Sequence, residues 1–242
     1  MITSRDNAQV KNVCKLREEK SERRKQNLMV LEGERLLLEA ASIKYLYYTV
    51  GSNYQRFLPF AQNAQEVTPE VFKKMSDTVS PQGVLGLVEL PNLSPEVDPC
   101  GKYLAFENLQ DPSNLGAAAR TAEAFSLSGI IVCGTDPYSP KVLRASMGAI
   151  LRIPVIECDD FLEFVAKLPN RKVGTVCRDG EDIRSFNFSN DIVLIGNEGN
   201  GLTKQAQDLC ERLVTINMSG KAESLNASVA SAIAVWEMTK NG

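Results

Sequence analysis

The 242-residue sequence contains no histidine, and this absence removes several kinds of chemistry. Imidazole is the base in Ser-His-Asp and Cys-His enzymes and a ligand in most catalytic zinc sites. Any catalysis must therefore come from carboxylates, arginine, lysine, hydroxyls, amides or a reactive cofactor. The six cysteines form no C-x-x-C pair, so they offer no zinc-binding pattern either. We predict no metal site, and we expect reduced, mostly buried thiols.

Long apolar runs are also missing. The first residues, MITSRDNAQVKN, contain no apolar segment of the length that a signal peptide requires. No later stretch approaches the ~18 apolar residues of a membrane span. With 43% hydrophobic and 24% charged residues, the composition is that of an ordinary globular protein. We therefore predict a cytoplasmic protein that does not bind membranes.

The net charge is only −3, but charge is uneven along the chain. Residues 1–25 carry eight basic and four acidic side chains, which leaves a local excess of positive charge. Such a segment is able to bind the phosphates of a nucleic acid. It is also compatible with a solvated helix face that holds i,i+4 ion pairs, and composition alone favours this second interpretation.

Apolar periodicity predicts an α/β fold with two domains. Residues 1–90 read as a small α/β domain that starts with a helix over 8–25. The segment PNLSPEVDPCG at 91–101 has three prolines and a glycine and reads as a linker. Over 102–242 strand-like and helical segments alternate, ending with a helix from Glu223 to Met238. This alternation predicts a mostly parallel sheet with helices on both faces, in which ligands bind at the carboxyl ends of the strands.

The first of three unusual loops follows the strand YLAFE and reads NLQDPSNLGAAARTAEAF. Asn114 is placed to be the N-cap of an alanine-rich helix that carries Arg120. Taken alone, the loop favours a capped, tightly packed helix over a functional Arg120.

The second loop, NEGNGL at 197–202, follows the strand DIVLIG. The order Gly196, Gly199, Gly201 is the reverse of the dinucleotide fingerprint, which argues against a nicotinamide site. Glycines after a strand allow ligand atoms to approach the backbone closely. A surface turn would tolerate the same residues, but it gives no purpose to Glu198.

The third loop, INMSGKAESLNASVASAI, leads from a strand into the final helix. Small residues on that helix suit close packing against another element. Packing does not explain why Ser224 and Asn226 stand together at the helix start.

The three loops, as NLGAAARTAEAF, LIGNEGNGL and INMSGKAESLNASVASAI, resemble the three motifs of the SpoU (TrmH-like) class of SPOUT RNA ribose 2′-O-methyltransferases, which use S-adenosylmethionine. The order and the long spacings carry this resemblance. The segments ITSRDNAQVKNVCKL, LEGERLLLEA and SPQGVLGLVEL resemble the ribosomal-protein-like RNA-binding domain that many of these enzymes have.

The resemblance implies a deep trefoil knot in the C-terminal domain, S-adenosylmethionine bound in the knot, and a homodimer with a site completed near the interface. It implies methylation of structured RNA, and the separate N-terminal domain favours ribosomal RNA. A tRNA ribose 2′-O-methyltransferase, a non-catalytic RNA-binding protein that retains the knot, and a nucleotide-dependent oxidoreductase are the alternatives.

Residue roles follow from the same resemblance. The polar active-site positions correspond to Asn114, Arg120, Glu198, Ser224 and Asn226. The cofactor pocket uses main-chain groups of Gly196, Ile216 and Leu225, while Thr175, Ile195 and Met218 line its adenosyl part.

Arg120 is the residue that the family uses to activate the ribose hydroxyl. A guanidinium with a pKa above ~12 is a poor general base at neutral pH. We therefore expect Arg120 to hold a phosphate and to stabilise the developing alkoxide, with the proton passing to water, to the phosphate or to Glu198. Two positions depart from the family pattern: Ser126 replaces a usual glycine, and Asn217 replaces a usual proline.

Overall fold

The computed structural model describes residues 1–91 and 96–240, so residues 92–95 of the predicted linker lie outside the described chain. The chain divides into two compact units. The first comprises Met1–Pro91 and Tyr138–Gly148, and the second comprises Asn92–Pro137 and Ala149–Gly242. The segment Tyr138–Gly148, which we predicted within the domain 102–242, therefore belongs to the first unit.

The first unit is built on a four-stranded mixed sheet. Its strands are β1 (Leu28–Glu32), β2 (Tyr45–Tyr48), β3 (Ala64–Glu66) and β4 (Val84–Glu89), and its helices are α1 (Ala8–Glu18), α2 (Lys20–Gln26), α3 (Glu34–Leu37), α4 (Pro69–Met75) and α6 (Pro140–Ser146). A 3₁₀ helix spans Tyr54–Phe60. The strand order is β1-β4-β2-β3, in which only the β2–β3 pair is parallel. Helices α1 and α4 cover one face of this sheet with buried side chains such as Val13, Leu16 and Phe72.

The basic N-terminal segment is two helices and not the single helix predicted over 8–25. Glu19 has φ −110° and ψ 114°, so extended backbone separates α1 from α2. Arg17 Nη1 donates to the carbonyls of Lys74 and Ser76 at 3.0 and 2.6 Å, and Arg23 is only 3% exposed and donates to the Leu16 carbonyl. These two arginines thus satisfy the free carbonyls at the C-terminal ends of α4 and α1.

The second unit contains a seven-stranded sheet in which every strand pair is parallel. Its strands are β5 (Tyr103–Glu107), β6 (Gly129–Cys133), β7 (Val155–Cys158), β8 (Arg171–Val176), β9 (Glu181–Asp182), β10 (Asp191–Ile195) and β11 (Arg212–Thr215). Their spatial order is β7-β6-β5-β10-β8-β11-β9. The predicted parallel sheet is confirmed. The strand β9 was not predicted, because two residues are too few to show an alternating apolar pattern.

Helices cover both faces of this sheet, as predicted. Their bounds are α5 (Pro112–Ala124), α7 (Phe161–Ala166), α8 (Lys204–Asp208) and α9 (Ala227–Thr239), and a 3₁₀ turn spans Ala149–Leu151. On one face, Ala105 and Leu194 pack in one cluster with Phe161 of α7 and Ala206 of α8. Side chains alternate along a strand, so the neighbouring strand residues point to the other face. There α5 and α9 pack on each other and against β6 and β10.

Two helix starts differ from the prediction. Helix α5 begins at Pro112, and its N-cap is Asp111, whose carboxylate accepts from Ser113 N at 2.8 Å. Asn114 is therefore not the N-cap, because the D-P-S sequence supplies a better one, Asp111, three residues earlier. The final helix begins at Ala227 and not at Glu223, since the side chain of Asn226 caps it.

All six cysteines are free thiols, but none is buried. Cys100 and Cys177 are exposed and the other four are half-buried, which corrects the expectation of mostly buried thiols. Burial nevertheless raises the pKa of Cys210 to about 12. Within residues 1–91 and 96–240, no helix has the length and hydropathy needed to cross a membrane, and no cluster of histidine, cysteine or acidic side chains could hold a metal ion.

Helix α5 ends in a Schellman motif at Ser126. Leu127 N donates to Ala122 O at 2.9 Å, and Ser126 N donates to Glu123 O at 3.0 Å. Ser126 occupies the left-handed position of this motif with φ 56°, a conformation that favours glycine. The departure from the family's glycine therefore places a Cβ where the backbone disfavours one.

We predict that Ser126→Gly raises the free energy of unfolding by about 0.5–1 kcal/mol, because relief of the left-handed strain exceeds the added entropy of glycine. Chemical denaturation of the two proteins measures the difference. Ser126→Ala is the matched control, since it keeps the Cβ and should bring no gain. An equal gain in both variants would contradict the backbone explanation.

Candidate active site

The three loops singled out in the sequence leave the carboxyl ends of β5, β10 and β11. Parallel strands bring their carboxyl ends to the same edge of a sheet, and β5 and β10 are direct neighbours. The loop after β5 leads into α5, the loop after β10 contains residues 196–202, and the loop after β11 runs to the N-cap of α9. The loops are therefore assembled at one edge of the second unit.

The carboxylate of Glu198 joins the first two loops. It accepts hydrogen bonds from Gln110 N at 2.8 Å, from Asp111 N at 3.2 Å and from Asn114 Nδ2 at 2.7 Å. These contacts satisfy backbone N–H groups at the start of α5 that have no partner within the helix. Glu198 thus has the structural purpose that the sequence did not reveal.

Asn114 extends this connection to the third loop. Its side chain is 6% exposed, and its Oδ1 accepts from Asn226 Nδ2 at 2.9 Å while its Nδ2 donates to Glu198. A side-chain amide can do both at once, because its nitrogen donates while its oxygen accepts. Asn226 Oδ1 accepts from Ser228 N at 2.9 Å and so caps α9. We call the side chains of Glu198, Asn114 and Asn226 the carboxylate–amide chain.

The surroundings of Glu198 hold it in the ionised form. Burial raises the pKa of the carboxyl, but hydrogen bonds from Gln110 N, Asn114 Nδ2 and Asp111 N outweigh burial and lower the pKa below its usual value of 4.5. A carboxylate with a lowered pKa and occupied lone pairs is a weak proton acceptor. Glu198 is therefore better suited to hold the loops in position than to act as a general base.

The turn at 196–202 folds back on itself tightly. Asn197 and Gly201 exchange backbone hydrogen bonds of 3.1 and 2.8 Å, and Asn197 Oδ1 accepts from Gly199 N at 2.9 Å. A Cβ at Gly196 would lie 2.1 Å from the backbone of Gly201 and Leu202, so only glycine fits there. Gly201 has φ 67° and open space around its Cα, so its bare backbone can be approached from outside.

A cavity of about 400 Å³ opens beside this turn. All six residues predicted for the cofactor pocket line it: Thr175, Ile195, Gly196, Ile216, Met218 and Leu225. Glu198 and the exposed Ser224 also lie on its wall. The structure therefore brings eight of the eleven predicted site residues to one cavity, although they come from β8, β10 and the two loops that follow β10 and β11.

The remaining three predicted residues are placed differently. Asn114 and Asn226 do not line the cavity. Asn114 is hydrogen bonded to Glu198, and Asn226 is hydrogen bonded to Asn114. Arg120 is exposed on α5, about 9 Å along the helix axis from Asn114 at 1.5 Å per residue, and it does not line the cavity. Within one chain, Arg120 is thus not assembled with the other polar candidates.

The sequence patterns did not identify Asp182, whose carboxylate supports the third loop. Asp182 accepts from Asn217 Nδ2 at 2.9 Å. In sequence, Asn217 lies between Ile216 and Met218, which both line the cavity. Hydrogen bonds from Arg184 and Asn217 lower the pKa of Asp182. The amide that replaces the family's proline therefore anchors its loop to β9. No local pattern could have identified this contact, because the partners are 35 residues apart.

We predict that Glu198→Gln lowers the free energy of unfolding by about 1 kcal/mol at pH 7, because an amide nitrogen would face backbone donors that the carboxylate now satisfies. The lowered pKa means that the carboxylate stabilises the fold above about pH 4.5 and that this contribution is lost as pH falls through the folded pKa. The difference in free energy of unfolding between the wild type and Glu198→Gln should therefore become smaller as the pH falls below 4.5.

Thermal unfolding from pH 7 to pH 3 checks this expectation. Glu163→Gln is the control, since its carboxylate is exposed and makes a surface ion pair with Lys167. A Glu198→Gln gap that stayed constant over the whole pH range would show that ionisation of Glu198 is irrelevant to the fold.

Comparison with known proteins agrees with this geometry. Residues 101–236 match the model of the SpoU rRNA Methylase family, and residues 7–86 match that of the MRM3-like substrate binding domain. The chain is 30% identical over 247 residues to the 23S rRNA (guanosine(2553)-2′-O)-methyltransferase RlmP of Bacillus subtilis, with 98% of each chain covered.

Two solved structures extend the comparison. One is the AdoMet-bound rRNA methyltransferase from Sinorhizobium meliloti, with a TM-score of 0.85, 28% identity, and coverage of 99% of this chain and 97% of that one. The other is the SpoU methyltransferase AviRb from Streptomyces viridochromogenes in complex with AdoMet, with a TM-score of 0.83, 25% identity, and coverage of 97% and 98%. Since the family model spans more than half of the sequence and a curated relative matches almost end to end, this chain belongs to the SpoU rRNA Methylase family.

Proposed function

We propose that this protein is an enzyme that transfers a methyl group from S-adenosylmethionine to a ribose 2′-hydroxyl of ribosomal RNA in the cytoplasm. The observation that carries the proposal is the single cavity lined by residues of the second and third motifs, to which the carboxylate–amide chain joins Asn114 of the first. RlmP and the Sinorhizobium meliloti protein are named as ribosomal RNA methyltransferases, and the Sinorhizobium and AviRb structures contain the cofactor.

The cavity fits S-adenosylmethionine in size and in chemistry. Its volume of about 400 Å³ lies in the range of small-molecule sites. Ile195, Ile216, Met218 and Leu225 provide apolar walls for an adenosyl group. The glycine turn at 196–201 presents backbone N–H and C=O groups without an intervening Cβ, as recognition of a polar methionyl group requires.

When bound, S-adenosylmethionine supplies an electrophilic methyl group on a sulfonium centre. The protein's own contribution is positioning, which can remove about 7–11 kcal/mol of a bimolecular barrier at best. The carboxylate–amide chain fixes the three loops relative to one another, and Asn217 holds the loop that carries Ile216 and Met218. Ser224, exposed on the cavity wall, is placed to donate to the RNA.

Proton loss from the ribose hydroxyl does not need Glu198. Both carboxylate oxygens already accept hydrogen bonds, and the pKa of the group is lowered. The proton therefore passes to water or to an RNA phosphate. Of the three acceptors considered from the sequence, the structural setting disfavours Glu198.

Arg120 supplies the positive charge for the developing alkoxide and for the neighbouring phosphate. Its guanidinium is exposed and makes no ion pair or hydrogen bond with any described residue, so all five N–H donors are available. Because Arg120 does not reach the cavity of its own chain, we assign it to the cavity of a second subunit.

A homodimer would provide that second subunit. Phe125, Val229 and Trp236 form an exposed apolar patch on α5 and α9, with exposed fractions of 39%, 47% and 58%. Phe125 and Trp236 are in edge-to-face contact at 5.9 Å. Three large apolar side chains exposed together are typical of a subunit interface. Arg120 lies on the same helix as Phe125, so a partner docked on this patch would approach it.

The trefoil knot belongs to the same proposal. Strand β11 inserts between β8 and β9, which precede it in the chain, and helix α9 then returns to pack against β10. This order supports a C-terminal segment that threads through the earlier loops.

Thermal unfolding and methyl transfer test the enzyme assignment. S-adenosylmethionine at 100 times its Kd should stabilise the protein by about 2.7 kcal/mol, and NAD should not, because only a ligand of the native state shifts unfolding. Labelled methyl should then appear on ribose hydroxyls of total ribosomal RNA and not on transfer RNA. Binding of the cofactor without methylation of any RNA would indicate a non-catalytic RNA-binding protein. Methylation of transfer RNA alone would show that the substrate is transfer RNA and not ribosomal RNA.

Arg120→Ala should lower kcat about 10²- to 10³-fold, as loss of an oxyanion donor does, while the melting temperature and the Kd for S-adenosylmethionine stay unchanged. Arg120→Lys should recover only part of the activity, since it lacks the bidentate fork. Arg212→Ala, a surface arginine of the same unit, is the control. Full activity in Arg120→Lys would exclude a role for the guanidinium geometry.

Subunit mixing tests the shared site. If Arg120 acts in the partner's cavity, a refolded mixture of Arg120→Ala and Glu198→Ala contains dimers with one intact site and should regain up to about a quarter of the wild-type rate. Each variant alone should stay inactive. No regain in verified mixed dimers would place Arg120 in its own subunit's site.

A further inference from the structure

A second cavity, of about 420 Å³, lies in the first unit, far along the chain from the three motifs. It is a groove where the start of α1 and the end of α2 meet the sheet. Leu28, Leu87 and the ring of Tyr47 form a buried apolar floor. We call this cavity the amide groove, because its rim carries Gln9, Asn12, Gln26, Lys44 and Tyr45.

The rim amides are held in place but keep free hydrogen-bonding capacity. Asn12 and Gln26 exchange two side-chain hydrogen bonds, of 3.1 and 2.8 Å, and Gln26 Nε2 also donates to Glu22 Oε2 at 3.0 Å. Tyr47 Oη donates to Gln9 Oε1 at 3.2 Å. Among the described residues this leaves both N–H groups of Gln9, one N–H group of Asn12 and carbonyl lone pairs of Asn12 and Gln26 without a partner.

This mixed set indicates the class of ligand. A phosphate or a carboxylate would select donors only, whereas the edge of a nucleobase presents donors and acceptors side by side. The apolar floor would accept the face of a flat ring, and the exposed Tyr45 offers an aromatic surface for stacking. Lys44 is half-buried and makes no ion pair within the described chain, so its ammonium is available for a phosphate.

We propose that the amide groove binds one unpaired nucleotide of the RNA, away from the nucleotide that is methylated. The base would enter between Tyr45 and the rim, Gln9 and Asn12 would read its edge, and Lys44 would neutralise the adjoining phosphate. Sequence-specific recognition of RNA relies on unstacked bases in loops and bulges, which a groove of this size can admit one at a time. The inference rests on the proposed function, in that the substrate is RNA.

The test uses the full-length protein and unmodified 23S ribosomal RNA at constant salt, because charge contributions to RNA binding depend on salt. The variants Gln9→Ala, Lys44→Gln and Tyr45→Leu should each raise the Kd for the RNA about five- to tenfold and raise its KM more than they lower kcat. The Kd for S-adenosylmethionine should not change. Tyr45→Phe keeps the ring and should bind as the wild type does, which separates lost stacking from misfolding.

Lys73→Gln and Phe60→Leu are matched controls, since both are exposed side chains of the same unit outside the groove. They should change the Kd for the RNA less than twofold. A photoreactive p-benzoylphenylalanine at position 45 should crosslink to a discrete unpaired nucleotide, which reverse transcription locates.

The outcomes separate the two proposals. If the wild-type protein methylates ribosomal RNA while the groove variants bind it as tightly as the controls, the groove is not an RNA site. Crosslinks to many positions, or only to nucleotides within RNA duplexes, would also contradict the proposal that the groove binds one unpaired nucleotide. If the wild-type protein neither methylates nor binds RNA, the proposed function fails and the groove inference fails with it.

Discussion

The ionised carboxylate of Glu198 is the point at which three distant parts of the chain are joined. It accepts from two backbone N–H groups and one side-chain amide at the start of α5, and Asn114 passes the connection on to Asn226 at the start of α9. The two backbone contacts satisfy N–H groups at the start of α5 that have no intrahelical partner. The loops that surround the cavity are therefore ordered by the same hydrogen bonds that complete the helices, and the geometry of the site depends on the fold's own capping requirements.

This arrangement also explains how a protein without histidine can organise methyl transfer. The chemistry needs an acceptor aligned with a methyl donor and a positive charge near the developing alkoxide, and neither requires an imidazole. A carboxylate fixed in its ionised form serves better as a support than as a base. The roles are therefore separate. Glu198 and the amides hold the loops, the glycine turn leaves its backbone exposed, and the positive charge of Arg120 lies apart on the surface of α5.

The first unit distributes its polar groups in a similar way. Arg17 and Arg23, which look like parts of a basic RNA-binding helix, satisfy carbonyls at helix ends. Polar groups with free hydrogen-bonding capacity also line the groove at Gln9, Asn12 and Lys44. Local charge density thus overstates the charge that a ligand could reach here, because Arg23 is buried and Arg17 is half-buried.

Sequence periodicity by itself determined the α/β class and the parallel sheet, since short apolar runs alternating with helices allow few other arrangements. The motifs also identified the residues of the cavity, because glycine and amide positions in loops after strands have few structural explanations. Helix starts were misplaced where a stronger cap stood nearby, as with Asp111 ahead of Asn114. The tertiary structure alone decided that Tyr138–Gly148 joins the first unit, that Asp182 supports Asn217, and that Glu198 meets Asn114 across 84 residues of chain. These contacts depend on strand order and register, which are fixed by packing over the whole sheet and leave no trace in any local stretch of sequence.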